Sequence, residues 1–316
     1  MSRLALLALC LVPGATAWAD ARPATLIGAA GGGKSDIAIV GSLGEVYVRA
    51  GGVWRRHGGG VAATLVRAWG PRANEIWAVG ARPPPYAHDG KAWVALPGAS
   101  GTSGPALLAE PGSTVPAVAI GRRIFVIENG KLVAAVAAPG LPTALWAQSP
   151  RDLSVIVDGK LQHFAGSWKP VAGAEENLVV LGPRVALGTD GGVYVVESRL
   201  RKLAVDAALA GFHPRLVAAG NRTVLAGALG DGYAVAAIDG RRVILLGKLP
   251  GLARADEPVG LVAGDALTVV SRSGLVLSGD GQTWKTEAIA SAVAETPHAA
   301  EPPAPIQPAP DAGARP

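Results

Sequence analysis

The chain has 316 residues, of which 49% are hydrophobic, 17% charged and only 5% aromatic, with a formal net charge of +5. That hydrophobic share excludes wholesale disorder, and 43 glycines with 25 prolines argue against a helix bundle and for many short strands joined by turns. The surplus of positive charge admits an acidic partner without requiring one.

The N-terminus has the layout of a secretory signal. Arg3 precedes an apolar stretch from Leu4 to Val12, and Ala17-Trp18-Ala19 places small residues before Asp20. Cys10 follows Leu9 inside the apolar stretch, which departs from a lipoprotein pattern. Cleavage after Ala19 leaves a mature chain with no cysteine, hence no disulfide, thiol nucleophile or thiolate metal site. Later apolar runs are short and broken by Gly or Pro, so no membrane span is expected. Export to the periplasm or beyond is the expected localisation.

Gly28-Ala29-Ala30-Gly31-Gly32-Gly33-Lys34-Ser35 matches a phosphate-binding loop letter for letter. Such a loop needs a helix next, whose N-terminal amides face the phosphates. The residues that follow, from Asp36 to Val48, are β-branched and Gly-interrupted, so the segment reads as a Gly-rich turn between two strands.

A repeat then runs along the chain. Asp89-Gly90-Lys91-Ala92-Trp93 and Asp280-Gly281-Gln282-Thr283-Trp284 share one pattern, with looser relatives ending at Trp54 and Trp168. These tryptophans are 39, 75 and 116 residues apart, close to one, two and three times a period of about 38. Asn129-Gly130 and Asp239-Gly240 fill two missing slots, and a degenerate slot lies around Glu197 to Leu203. A second element recurs as well: Ala68 to Gly80 is echoed by Leu145 to Leu153, and Asp36 to Gly41 by Glu75 to Gly80. The clearest unit predicts strands over 64–69, 75–80, 86–88 and 92–96. Asp-Gly is hairpin-turn chemistry because Gly tolerates positive φ. The tryptophan after it opens the fourth strand, where its ring can cover the next sheet. Seven units of four strands predict an all-β, seven-bladed β-propeller over residues 20–290, after a signal peptide over 1–19. Residues 291–316 are rich in Pro and Ala, lack apolar periodicity and read as a disordered tail.

The segment Val66 to Leu96 resembles the repeat of exported bacterial propellers, and Asp280 to Trp284 resembles a shortened Asp-box of BNR-repeat, sialidase-like and Ycf48-type propellers. The resemblance implies architecture and the structural roles of Trp54, Asp89, Gly90, Trp93, Trp168, Asp280, Gly281 and Trp284. It implies no activity, because propellers host many unrelated functions.

Catalytic residues and metal ligands are not expected. A sialidase would need an Arg-Ile-Pro motif and a Tyr–Glu pair, and neither is recognisable. The histidines are scattered, and His88, beside Asp89, reads as a solvated turn residue. Asp190-Gly191-Gly192 and Asp231-Gly232 read as turns, not calcium loops. No cofactor is implied, and no Lys/Arg run or stacking platform points to nucleic acid. Superposing the units places a cation in the turn between first and second strands: Lys34, Arg72, Arg151, Arg184 and Arg222. Converging cations would attract a polyanion, such as an anionic glycan or an acidic envelope protein. The same face carries Asp89, Asp239 and Asp280, with which those cations can pair. The expected role is that of a monomeric, non-catalytic binding scaffold of the cell envelope; the alternative is a glycan-active hydrolase or lyase.

Overall fold

The computed structural model describes residues 25–31, 37–50, 52–57, 60–61, 63–99, 102–173, 177–264, 266–289 and 293–294. The expected signal segment and Lys34 lie outside them. Among the described residues the chain folds into seven four-stranded antiparallel meanders. The first comprises Leu26–Gly31, Ile37–Gly41, Val46–Ala50 and Val53–His57. The second comprises Leu65–Arg72, Glu75–Gly80, Tyr86–His88 and Trp93–Ala95. The third is Ala106–Leu108, Ala117–Ile120, Arg123–Glu128 and Lys131–Ala137, and the fourth Pro142–Ser149, Asp152–Val157, Lys160–Phe164 and Trp168–Pro170. The fifth is Leu178–Gly182, Val185–Gly188, Val193–Val196 and Leu200–Lys202, and the sixth His213–Ala219, Thr223–Leu229, Gly232–Asp239 and Arg242–Lys248. The seventh is Pro258–Ala263, Leu267–Ser271, Leu275–Gly279 and Trp284–Ala288. The first strands lie side by side in succession, and the seventh also contacts the first. This is a β-propeller arrangement.

Second strands show why. Ile37–Gly41, Ala117–Ile120, Val185–Gly188 and Leu267–Ser271 are buried at every residue. A strand covered on both faces reads as a continuous apolar run, not as an alternation. Accordingly, an apolar cluster lies between each pair of consecutive meanders, and Leu26, Ile39 and Trp54 of the first pack with Val262, Val270 and Val276 of the seventh. The first strand carries a bulge near its start in six meanders, leaving Ile27, Val66, Thr143, Val179, Arg215 and Val259 out of register. A bulge bends a strand and sharpens its twist, so the six meanders enter the axis alike.

The turn chemistry follows the repeat. Asp89 Oδ1 accepts from the amides of Lys91 and Ala92, both at 2.9 Å, and Asp280 Oδ1 from those of Gln282 at 2.8 Å and Thr283 at 2.7 Å. These donors hold both carboxyls below the usual range. Gly90 and Gly281 sit at φ of 93° and 105°, which an L side chain resists. Asp190 Oδ1 likewise accepts from Gly192 N at 2.8 Å, while Oδ2 pairs with Lys202 Nζ at 2.9 Å.

Three expectations need correction or adjustment. The fourth-strand tryptophans cover the preceding sheet, not the next. Trp93 Nε1 donates to Gly44 O at 2.7 Å, Trp168 Nε1 to Ala137 O at 2.7 Å, and Trp54 Nε1 to Glu287 of the seventh meander at 3.0 Å. Trp284 packs the same way, against the cluster shared with the sixth meander. Secondly, Val293–Ala294, inside the segment read as tail, pairs in parallel with Arg55 and Arg56 on the outer edge of the first meander. Thirdly, His88 is not solvated: it is 3% exposed at the end of a third strand, and its ring meets Trp93 edge-on at 5.0 Å. Its Nδ1 accepts from Gly90 N at 3.1 Å, so that nitrogen is unprotonated.

Burial pushes the His88 pKa below its ordinary value of 6.5, against the pull of Asp89. The unfolded chain therefore takes up this proton first as pH falls. Stability supplied by neutral His88 is full above pH 6.5 and is lost as pH drops through the folded-state value. His88→Asn keeps an acceptor for Gly90 N and removes the titration. Urea unfolding between pH 7.5 and about 5 should show a shallower loss of stability in this variant than in the parent; equal slopes would exclude His88 as the source.

Candidate functional site

The turns between first and second strands and those between third and fourth strands open on one face. Arg72, Arg151, Arg184 and Arg222 all stand there, in the second, fourth, fifth and sixth meanders, and all are exposed. Arg184 adopts φ 58°, so its turn holds a non-glycine residue in the left-handed region. The four do not converge on one point. Arg72 and Arg222 follow Pro71 and Asn221, which line a central cavity of about 390 Å³. Arg222 also shares a depression of about 310 Å³ with Asp280. Arg184 lines a cleft of about 580 Å³ between the fourth and fifth meanders. Arg151 is on the lining of none of these.

The central cavity is walled by small residues of the first strands and their turns, among them Gly31, Gly70, Gly112, Ser113, Ala219 and Gly264. Close approach demands this: a Cβ on Gly220 of the sixth meander would stand 2.8 Å from Ala263 O of the seventh.

The cleft between the fourth and fifth meanders is chemically richer. Its floor is apolar, from Trp146, Leu161, Val171, Leu181 and Val196. Its rim carries Asp152, His163 and Lys169 on one side and Arg184 and Glu197 on the other. Ser154 Oγ lies 3.2 Å from His163 Nδ1, and Asp152 Oδ1 lies 3.8 Å from the same nitrogen. A proton relay needs the nucleophile and the orienting carboxylate on different nitrogens of the imidazole, so these three residues are not a hydrolytic triad. Glu197 pairs with Arg201 at 3.5 Å. Lys169 and Arg184 form no ion pair with another described residue. Among the described residues no three His, Cys, Asp or Glu side chains are grouped to hold a metal ion, and no helix is long and apolar enough to cross a membrane.

The opposite mouth of the channel is a depression of about 660 Å³, lined by Ile27, Val66, Leu107, Val259, Arg67 and Arg272 among others. Arg67 reaches from the second meander to Glu110 of the third, with Nη2 2.5 Å from Oε2. The Glu110 side chain is 4% exposed, and burial raises its pKa despite the guanidinium. The repeat marks neither partner, because they are 43 residues apart and Glu110 follows a short first strand in a degenerate unit. Ser154 carries no repeat letter either, and the likeness between Ala68–Gly80 and Leu145–Leu153 ends one position before it. Extending the superposition by that position sets Ser154 against Trp77.

Breaking a buried ion pair leaves a charge uncompensated, at a cost of about 3–5 kcal/mol. With Arg67 partly exposed, Arg67→Met should lose about 3 kcal/mol at pH 7 by urea unfolding. The loss should shrink as pH falls and Glu110 protonates, and Arg67→Met combined with Glu110→Leu should regain most of it. A single variant as stable as the parent would show that the pair contributes nothing.

No protein-family model matches the chain, and no curated protein does. Solved structures are similar. A structure of YCF48 bound to a D1 peptide is 16% identical with a TM-score of 0.58, over 82% of this chain and 94% of that one. YCF48 from Cyanidioschyzon merolae is 16% identical with a TM-score of 0.59, over 82% and 96%. A streptogramin B lyase is 12% identical with a TM-score of 0.54, over 85% and 95%. At these identities the likeness establishes the fold, a β-propeller, and no activity.

Proposed function

We propose that this chain is an exported, seven-bladed, non-catalytic β-propeller that docks a peptide segment of an envelope protein on the face bearing the first-to-second-strand turns. The observation that carries the reading is the make-up of that face. A central cavity and an inter-meander cleft open there beside exposed Arg72, Arg151, Arg184 and Arg222. Seven meanders with an apolar cluster between each neighbouring pair support the blade count, and the layout of residues 1–19 supports export. The similar YCF48 structure has a peptide bound, which is consistent with this use of the fold. Cations on such a face favour an acidic segment and speed its encounter. A catalytic reading, a glycan hydrolase, draws on one observation: Asp152 and Glu197 line the same cleft.

The deciding experiment is cross-linking from envelope extract with the parent and with an Arg72→Glu, Arg151→Glu, Arg222→Glu variant, which leaves the cleft untouched. The parent should capture a defined partner that the variant loses, with the loss mirrored by raising salt. Capture unchanged by reversal and by salt would refute the docking face. Release of reducing ends from envelope glycan, abolished by Asp152→Asn or Glu197→Gln, would establish the hydrolase instead.

A further inference from the structure

We propose that the cleft between the fourth and fifth meanders is a pocket for the aromatic C-terminal residue of a peptide, taking its ring into the floor and its carboxylate at the rim. The proposal deepens the docking reading and rests on it for the partner being a peptide.

Comparison of one row of residues in two meanders carries the argument. In the second meander the row across the sheet is Trp69, Trp77, Ala87 and Val94, each registered opposite the next. In the fourth meander the same row is Trp146, Ser154, His163 and Lys169. Trp77 is 6% exposed, meets Trp69 edge-on at 5.3 Å, and shares its core with Leu108, Val118 and Phe125 of the third meander. It seals that seam. Ser154 stands where the second indole would be, and the cleft of about 580 Å³ opens beside it. That volume lies in the range of small-ligand pockets. Trp146 remains on its floor and offers a ring to stack on. The indole N–H of Trp146 has no partner, but neither has that of Trp69, so this orphan belongs to the repeat position and is not a mark of the pocket.

The rim sets the second half of the specificity. Of its acids, Glu197 pairs with Arg201, and Asp152 lies 3.8 Å from His163 Nδ1, an ion pair only when that ring is protonated. Its cations, Lys169 and Arg184, line the cleft from different meanders, without an ion pair to a described residue. A carboxylate adjoining an aromatic ring satisfies both, since a ligand anion that accepts from Arg and Lys makes the strong, charge-assisted kind of hydrogen bond. A peptide C-terminus ending in an aromatic residue presents that pair of groups on one residue.

The test uses N-acetyl-L-tryptophan as probe and N-acetyl-L-tryptophanamide as its uncharged counterpart, with ligand-observed NMR on the full chain. The acid should bind at least about tenfold more tightly than the amide. Ser154→Trp, which restores the seal of the second meander, should abolish binding of both while holding or raising the unfolding temperature. Lys169→Gln with Arg184→Gln should bring the acid down to the amide. Equal binding of acid and amide by the parent, no saturable binding up to about 10 mM, or a preference that survives the double neutralisation would each overturn the pocket. If Ser154→Trp does not fold, the double neutralisation decides. Failure of the parent chain to bind the probe, with partner capture on the arginine face intact, would sink the pocket and leave the docking reading standing. The reverse result would leave the pocket and sink the docking reading.

Discussion

Each sheet of this molecule buries both of its faces, one against the sheet before it and one against the sheet after. Leu26, Ile39 and Trp54 meeting Val262 and Val270 close the series, so that the last sheet has a partner in the first. Burial of this kind is worth about 25 cal/mol for each Å² of apolar surface removed from water. It is non-directional, so it cannot by itself fix register. Register comes from the polar elements at the strand ends, where Asp89 and Asp280 tie down their own turns. The recurring bulge in the first strands adds a common twist.

The wedge shape of the space between sheets explains the composition. Near the axis the first and second strands crowd together, and Ala30, Ala38, Ala68, Ala78, Ala117 and Ala119 fill the gap. Further out the sheets splay, and the large rings sit there: Trp54, Trp93 and Trp168 each bridge back to the preceding meander through an indole N–H. A low aromatic share is therefore what this geometry asks for. Most described rings stand on third and fourth strands, where separation is greatest; Trp69, Trp77 and Trp146 are the described indoles on first and second strands, and alanine and valine fill much of what remains.

Periodicity made the architecture legible because each unit had to repeat the same local chemistry: an Asx-stabilised Gly turn, then a ring opening the fourth strand. Even the degenerate slot around Glu197 became a third-to-fourth-strand turn, followed by Leu200–Lys202. What escaped had no periodic letter. The bulged residues are Ile, Val, Thr, Val, Arg and Val, alike only in position. His88 looks polar and adjoins a turn, yet its ring is needed under Trp93. Val293–Ala294 sits in a stretch of low complexity, and its pairing uses backbone alone. Arg67 and Glu110 belong to different units, so their meeting is a property of the ring and not of the repeat. The four described cationic turn positions lie on one face, and no two of them line the same depression.

The same radial geometry decides where recognition chemistry can reside. At the axis, backbone approaches backbone so closely that Gly220 admits no side chain beside Ala263 O, and the cavity there is walled mostly by glycine, alanine and proline. Such a wall can accommodate a ligand but has few groups with which to choose one. Between sheets, further from the axis, full side chains fit, and one position decides whether the seam is sealed or open. Trp77 seals it in the second meander and Ser154 opens it in the fourth. A repeat fold thus carries its own reference state. The packing requirement is known from the unit that meets it, so the unit that departs from it marks a place where volume has been exchanged for access.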